Sequence, residues 1–201
     1  MMVFRWSGLV ALAISALVLS ACAPQRLRPD AAGLDEQDRR EALLAPMSNW
    51  QLVGRLGVSD GSDSGSGSLT WSQQGDTYRF ELHAPVTGKT WLLSGDASQA
   101  KLQGLRDTTV VGDDAASLLR RELGWRVPVA ELAWWARGMR APGTADLSLR
   151  PDGLPARIVQ AGWQVDFLDY DETQQPALPR KLFAESGNYK VRLAIQRWQR
   201  P

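Results

Sequence analysis

Two residues that could carry covalent or metal chemistry occur only once each in the chain, Cys22 and His83. A Ser-His-Asp arrangement would need His83. In the stretch TYRFELH, however, that residue alternates with Arg79 and Glu81, on the polar face of a predicted strand. A metal centre needs several ligands at fixed spacing, and the carboxylates between residues 166 and 172 lack the EF-hand pattern. The sequence therefore predicts no catalytic residue, metal site or cofactor, and indicates a protein that binds rather than catalyses.

Cys22 has the setting of a lipid-attachment site. Residues 1–21 carry one basic residue, no acid, a short apolar run and a small-residue end, the order of a signal peptide. The run is shorter than the ~20 residues that span a bilayer. The stretch Leu19-Ser20-Ala21-Cys22 resembles the lipobox of bacterial lipoproteins. This implies that residues 1–21 are removed and that Cys22 becomes a triacylated first residue. The alternative is an unpaired cysteine in an uncleaved apolar segment.

The lipobox resemblance also indicates a location and a domain layout. The residue after the cysteine is Ala23 rather than an aspartate, which favours the outer membrane, with the protein lipid-anchored and facing the periplasm. Residues 22–30 would form the lipidated tether and residues 31–201 a single domain. With 23 basic and 22 acidic residues, the chain lacks the basic surface that nucleic acid binding needs. We expect a monomer, because the tether already fixes the protein in place.

The chain after residue 30 predicts a mainly β (α+β) fold. Helices are expected at 31–44, 115–123 and 128–138, from capping residues and apolar stripes. Strands with a period of two follow Trp50, and short Gly or Pro turns separate them. The Gly/Ser-rich residues 59–68 predict a flexible loop. The pattern predicts a strongly curved antiparallel sheet with one apolar face covered by two or three helices.

Tryptophan is unusually frequent, with nine residues in the chain and eight of them after Cys22. Ordinary core packing explains any single tryptophan, because the indole is a large apolar body with one donor. Eight in one domain also suit the walls of a roomy apolar cavity.

The link between two predicted strands, residues 84–88, carries an apolar residue at its tip. Pro85 and Gly88 are turn residues, and Val86 lies between them, where a polar residue is usual. An exposed valine forgoes ~1.5 kcal/mol or more of burial. Either the loop folds back and buries Val86, or Val86 is a small apolar wedge that touches a membrane or another protein's lipid. Lys89 beside it would suit anionic head groups.

A series of short motifs, taken in order and spacing, resembles one family, the outer-membrane lipoprotein receptor LolB. The resemblance runs from the lipobox to Trp198. The motifs are WQLVGRLGV at 50–58, LTWSQ at 69–73, PVTG at 85–88, the Gly, Val, Pro, Leu and Trp pattern across 124–138, QAGWQV at 160–165 and LP at 178–179.

The resemblance implies an unclosed antiparallel β-barrel, of about 9–11 strands, with a helical lid over an apolar cavity. It implies a receptor that accepts triacylated lipoprotein cargo from the periplasmic carrier LolA, shields the acyl chains and inserts them into outer-membrane lipid. The family's exposed loop leucine matches Val86, which makes Val86 the predicted membrane-insertion residue. The alternative function is a structural lipoprotein that scaffolds an outer-membrane assembly and has no ligand cavity. The predicted cavity residues are Trp71, Phe80, Leu82, Trp91, Leu93, Trp135 and Trp163.

Overall fold

The computed structural model of the chain describes residues 26–85 and 88–200. The predicted signal peptide, Cys22 and Val86 lie outside the described residues. None of the helices found in the described residues has both the length and the apolarity that a membrane span requires.

Within residues 26–85 and 88–200, eleven antiparallel strands form a single sheet. They are β1 (Asn49–Ser59), β2 (Ser64–Gln74), β3 (Thr77–Ala84), β4 (Lys89–Gly95), β5 (Ala100–Gln103), β6 (Val110–Gly112), β7 (Ala145–Leu149), β8 (Pro155–Gln160), β9 (Trp163–Asp171), β10 (Leu178–Ser186) and β11 (Tyr189–Gln199). Their order in the sheet is β6-β5-β4-β3-β2-β1-β11-β10-β9-β8-β7. Among the described residues no pairing joins the two edge strands, β6 and β7. The predicted unclosed antiparallel barrel is confirmed.

Alternating burial along the strands defines the inside of the barrel. In β3, Tyr78, Phe80 and Leu82 are buried, whereas Arg79 and Glu81 are exposed. This is the side-chain period of a strand with one face on a core. Mainly apolar side chains therefore line the concave face of the sheet.

A β-bulge helps to bend the sheet in β1. The register between β1 and β11 shifts between Val53 and Gly54, and a bulge of this kind bends a strand. A Cβ atom on Gly54 would lie 2.2 Å from the carbonyl oxygen of Ala194. Only glycine lets the two strands approach this closely.

The prediction of a flexible loop over residues 59–68 is wrong. β1 continues to Ser59 and β2 begins at Ser64, so the link is a short turn at residues 60–63. Glycines are needed in β2 because neighbouring groups leave no room for side chains at these positions. A Cβ on Gly67 would lie 2.4 Å from the carbonyl oxygen of His83, and one on Gly65 would lie 2.7 Å from the ring of Trp125.

Three helices complete the fold of the described residues: α1 (Ala31–Leu44), α2 (Ala115–Leu123) and α3 (Val129–Trp135). The backbone N–H of Ser117 donates to the Asp114 side chain at the start of α2, and Gly124 ends that helix with φ 73°. These are the usual start and stop signals of a helix. Because α2 and α3 follow β6 and precede β7, they connect the two open edges of the sheet and form its lid. The predicted helical lid is confirmed.

Buried polar contacts join α1 to the end of the lid. The Arg40 guanidinium donates to the carbonyl oxygens of Gly138 at 2.7 Å, Arg137 at 3.1 Å and Ala177 at 2.6 Å. The Gln37 side chain donates to the same Gly138 carbonyl at 3.2 Å. These bonds satisfy carbonyls that would otherwise be buried without partners. They hold the segment after α3 in place.

Candidate functional site

An apolar cavity lies between the concave face of the sheet and the lid. Every residue on its wall is apolar, and its volume is about 50 Å³. The sheet side is formed by Leu56, Val58, Leu69, Phe80, Leu82, Trp91, Leu93 and Leu102, and the lid side by Leu119, Leu123, Trp125, Val127, Val129 and Leu132.

Four of the seven predicted cavity residues lie on this wall: Phe80, Leu82, Trp91 and Leu93. They come from the neighbouring strands β3 and β4, where Phe80 pairs with Leu93 and Leu82 with Trp91 in register. Because paired residues point to the same face of a sheet, one strand pair presents all four to the same space. Their contact with a ligand stays a prediction.

The other three predicted residues lie away from this wall. Trp71 stacks on Phe80 with ring centroids 4.2 Å apart and lines a second cavity. Trp163 lines a surface groove beside Arg126 and Pro128. Trp135 is fully buried, and its indole N–H donates to the Gln160 side chain at 3.1 Å.

Trp135 serves to hold the lid on β8. The Gln160 side-chain oxygen also accepts from the backbone N–H of Ala141 at 2.9 Å, and its amide donates to the Ala141 carbonyl at 2.7 Å. A buried amide with all these partners fixes one arrangement of the elements that meet there. The sequence predicts Trp135 as a cavity residue from its residue type alone. Its hydrogen-bond partner Gln160 is distant in the sequence, so no local pattern indicates this contact.

The lid contributes several wall residues that were not predicted. Leu119 and Leu123 lie four residues apart on the apolar face of α2, a spacing that is readable in the sequence. Trp125 lies in the link between α2 and α3, and its ring meets Trp91 edge to face with centroids 5.5 Å apart. No periodic pattern marks a residue in such a link.

The apolar cavity is small in this conformation. Its volume, about 50 Å³, is below the ~150 Å³ of an engineered apolar cavity that binds benzene. Leu56, Trp91 and Leu123 are only partly buried, so this part of the wall reaches the protein surface.

The second cavity, called here the acidic cavity, has a volume of about 590 Å³. It lies where the β2–β3 and β4–β5 turns meet α2 and α3. Its aromatic wall residues are Trp50, Trp71, Tyr78 and Trp134, and its charged ones are Asp76, Asp96, Asp114, Glu131 and Arg137. No single sequence motif predicted it, because its residues come from five separate segments.

His83 is exposed, and its ring Nδ1 lies 3.1 Å from the Thr90 hydroxyl on the neighbouring strand. The loop that follows β3 is flanked by Pro85 and by Gly88, which has φ 65°. Positive φ favours glycine, and a turn here is as predicted.

The segment before α1 is held on the open edge of the sheet. Leu27 and Leu149 exchange two backbone hydrogen bonds of 2.8 Å, and the Arg26 guanidinium pairs with Asp166 at 3.2 Å. In an antiparallel meander, alternate turns lie at the same end. Leu149 therefore lies at the end opposite to the β3–β4 loop.

Comparison with known families agrees with this architecture. The model of the family described as "Outer membrane lipoprotein LolB" matches residues 48–198. The chain belongs to the LolB family. The recognition made from the motifs is confirmed. Membership places the chain among outer-membrane lipoproteins, as predicted, and assigns it a role in lipoprotein localisation.

Several curated relatives are named outer-membrane lipoprotein LolB. The chain is 38% identical over 165 residues to the one from Xanthomonas campestris pv. campestris strain B100, covering 79% of this chain and 76% of the relative. It is 36% identical over 204 residues to the one from Xanthomonas oryzae pv. oryzae strain MAFF 311018, covering 96% and 94%.

Solved structures support the fold. A LolA superfamily protein from Nitrosomonas europaea superposes with a TM-score of 0.55 at 7% identity, covering 84% of this chain and 93% of that one. A domain from Vibrio parahaemolyticus, described as a "putative outer membrane lipoprotein-sorting protein domain", gives a TM-score of 0.52 at 9% identity, covering 84% of this chain and 92% of that one. At these identities the likeness concerns the fold.

Proposed function

We propose that this protein accepts triacylated lipoproteins from the carrier LolA, shields their acyl chains in the apolar cavity and releases them into the outer membrane. The observation that carries the proposal is a space between sheet and lid whose wall is wholly apolar. Family membership supports the same role.

The chemistry of the wall suits temporary binding. Each methylene removed from water gains ~0.8 kcal/mol, so long acyl chains bind well without any directional contact. The same chains gain about as much in the hydrocarbon of a bilayer. Because the wall makes no hydrogen bond to the cargo, release into lipid breaks none.

Binding requires the lid to open. The lid side of the apolar cavity consists of α2, the link with Trp125 and the start of α3. Moving these elements outward widens the space at the part of its wall, near Trp91, that reaches the surface. If they cannot move, the interior is a filled core and the scaffolding alternative applies.

We propose that Cys22 carries the lipid anchor and that residues 22–30 act as the tether. An extended chain from Cys22 to Leu27 reaches about 17 Å. With Leu27 held on Leu149, the anchor leaves at the end of the barrel away from the β3–β4 loop. The flank near β7 then lies close to the bilayer, unless the two hydrogen bonds of Leu27 open and lengthen the tether.

We propose that Val86, at the tip of the β3–β4 loop, assists insertion of cargo into the membrane. Valine is smaller and stiffer than the leucine of the family, so neighbouring residues share this task. We further propose that the protein acts as a monomer, with outer-membrane lipid as the final acceptor.

The decisive experiment is a transfer assay. LolA loaded with a lipoprotein is mixed with the domain from residue 23 onward, and movement of cargo between the two proteins is measured. We expect transfer without nucleotide. Retention of all cargo on LolA, with the domain folded by circular dichroism, would refute the receptor function.

A Val86→Glu variant separates acceptance from release. A carboxylate at the loop tip is disfavoured in hydrocarbon, so release into vesicles should fall while transfer from LolA stays near normal. Thr87→Glu places the same charge beside it as a control. Unchanged release by Val86→Glu would remove this residue from the mechanism.

A further inference from the structure

The apolar cavity and the acidic cavity meet at Val129, the first residue of α3. Val129 lies on the wall of both cavities, and these two walls share no other described residue. Val129 is only 6% exposed, so it lies between the two spaces rather than at the protein surface. On the lid side, the partition between the two cavities is therefore one residue thick.

The partition on the sheet side is a pair of aromatic rings. Trp71 in β2 pairs in register with Phe80 in β3, so both side chains point to the inside of the barrel. Phe80 lies on the wall of the apolar cavity and Trp71 on the wall of the acidic cavity. The two rings are stacked with centroids 4.2 Å apart, and no other group fits between rings this close. The sheet side of the partition is therefore a single stacked pair of side chains.

The acidic cavity, at about 590 Å³, has more than ten times the volume of the apolar cavity, at about 50 Å³. An engineered apolar cavity of ~150 Å³ binds benzene, and a long acyl chain is much larger than benzene. The apolar cavity must therefore either widen for the whole chain or lead into a second space.

The part of the acidic cavity next to this partition is apolar. Trp71 and Trp50 are 0% and 3% exposed and form its floor, and their rings meet edge to face with centroids 4.8 Å apart. The carboxylates of Asp76 and Asp96 come from the β2–β3 and β4–β5 turns and are exposed, so they lie at the rim. A hydrocarbon tail that passes Val129 therefore reaches aromatic rings before it reaches charge.

We propose that a long acyl chain bound in the apolar cavity passes between Val129 and the stacked rings of Trp71 and Phe80, so that its methyl end lies in the acidic cavity. Val129 then determines how long a chain the protein can shield. This path depends on the proposed binding of acyl chains in the apolar cavity and extends it. The proposed lid movement carries the start of α3, and with it Val129, away from the rings and widens the passage.

Chain length makes the path measurable. Each methylene that leaves water tightens binding about fourfold, so methylenes that reach the acidic cavity add affinity and methylenes that stay in water add none. The probes are a ten-carbon and a sixteen-carbon fatty acid, each with a photoreactive diazirine at its methyl end. The position of the cross-link reports where that end lies.

The first test maps these cross-links by mass spectrometry on the full chain. The protein is held in digitonin, a nonionic detergent with a rigid ring system in place of an alkyl tail. We expect the sixteen-carbon probe to label the acidic cavity, at residues such as Met47, Trp50 and Trp134, and the ten-carbon probe to label the apolar cavity. If both methyl ends label only the wall of the apolar cavity, the path is refuted and the receptor function stands. If neither probe binds, both proposals fail.

Two valine substitutions of equal size locate the passage. Val129→Phe fills the partition, whereas Val127→Phe fills the apolar cavity on the side of the surface groove that Trp163 lines. Exclusion of two methylenes is enough to weaken binding about tenfold. We therefore expect Val129→Phe to lower the affinity ratio of the sixteen-carbon to the ten-carbon probe at least about tenfold. Val127→Phe should leave this ratio near its wild-type value.

The affinity ratio cancels the uptake of each probe by the detergent, and urea denaturation shows whether each variant is folded. Equal ratios in the two phenylalanine variants would refute the role of Val129. Val129→Ala supplies a test that does not depend on tolerance of the larger ring. The smaller side chain should increase labelling of the acidic cavity by the sixteen-carbon probe, and unchanged labelling would show that Val129 does not limit the passage.

Discussion

Alanine at Gly65 is expected to push the lid off the sheet. Gly65 lies in β2, and a Cβ there would lie 2.7 Å from Cζ2 and 3.0 Å from Cη2 of Trp125. The obstacle is a ring in the link between α2 and α3, not the backbone. The alanine therefore fits the strand, and the lid has to yield.

The size of the effect follows from the contact distances. Ordinary contact begins at 3.4 Å, so the Trp125 ring must retreat by about 0.7 Å. Overpacking of this kind costs ~1–3 kcal/mol, and replacing a strand glycine returns ~0.5–1 kcal/mol. We expect a net loss of about 1 kcal/mol in the free energy of unfolding. Because Trp125 lines the apolar cavity, a fatty-acid probe should enter faster and bind more tightly.

Urea denaturation and stopped-flow quenching of tryptophan by a fluorescent fatty acid measure both effects. Gly57→Ala is the matched control, since a Cβ on Gly57 would lie 3.9 Å from Arg192 and 4.0 Å from Ser66. That variant should keep the wild-type entry rate. If Gly65→Ala loses stability but binds the probe no faster than Gly57→Ala, displacement of Trp125 does not open the route.

Three further predictions concern the supports of the lid and the tether. Arg40→Ala should lower the free energy of unfolding by about 3 kcal/mol, because the carbonyls of Arg137 and Ala177 lose the Arg40 donor and the Gly138 carbonyl keeps only the bond from Gln37. Arg39→Ala, which removes an exposed i,i+3 ion pair, should change the free energy of unfolding by less than about 0.5 kcal/mol. Urea denaturation measures both variants, and a similarly small loss for Arg40→Ala would contradict the prediction. Asp114→Ala should lower the free energy of unfolding by about 1 kcal/mol at neutral pH. Asp114→Asn should lower it little, because asparagine can also cap a helix. The hydrogen bond from the Ser117 backbone lowers the pKa of the Asp114 carboxyl in the folded protein. The stabilisation by the ionised carboxylate is therefore fully present above the ordinary pKa of 3.8, and it is lost as the pH falls through the lower folded value. If Asp114→Ala lost the same free energy of unfolding at every pH, this explanation would be refuted. A disulfide between Leu27→Cys and Leu149→Cys should slow cargo release by the anchored protein into its own membrane, and a Gly/Ser spacer after Ala23 should restore it. Full release by the locked protein without the spacer would show that tether reach does not limit insertion.

Local signals in the sequence were sufficient for the helices and most strands. Asp114 and Gly124 bracket α2 because a cap and a left-handed glycine act within a few residues of the chain. The alternation in TYRFELH gives β3 for a similar reason, since one face of a strand meets the core and the other meets solvent. The family motifs then joined these elements into one architecture.

Signals that depend on distant contacts were not readable. The glycines at 65 and 67 look like a linker, because composition does not show that Trp125 and the His83 carbonyl occupy the space where side chains would be. Trp135 looked like a cavity residue for a comparable reason, since its partner Gln160 lies on another element. The acidic cavity was missed because its carboxylates are far apart in sequence.

The contacts of the lid are uneven, and this determines how it can open. Its C-terminal end is held by buried polar bonds from Arg40 to the backbone around Gly138, and by Trp135 to Gln160. Its other end meets the apolar cavity through apolar side chains, among them Leu119 and Trp125. The polar contacts of α2 with the β5–β6 edge, Arg106 with Glu122 at 2.7 Å and Arg121 with the Val111 carbonyl at 3.1 Å, are exposed, so water can replace them. Apolar contacts can slide and reform without leaving a buried group unsatisfied, whereas the polar end can move only by breaking several hydrogen bonds.

Opening should therefore be a hinge motion about the end of α3, with α2 and the Trp125 link moving outward. Such a motion exposes the β3 and β4 side of the cavity, where Phe80, Leu82, Trp91 and Leu93 lie.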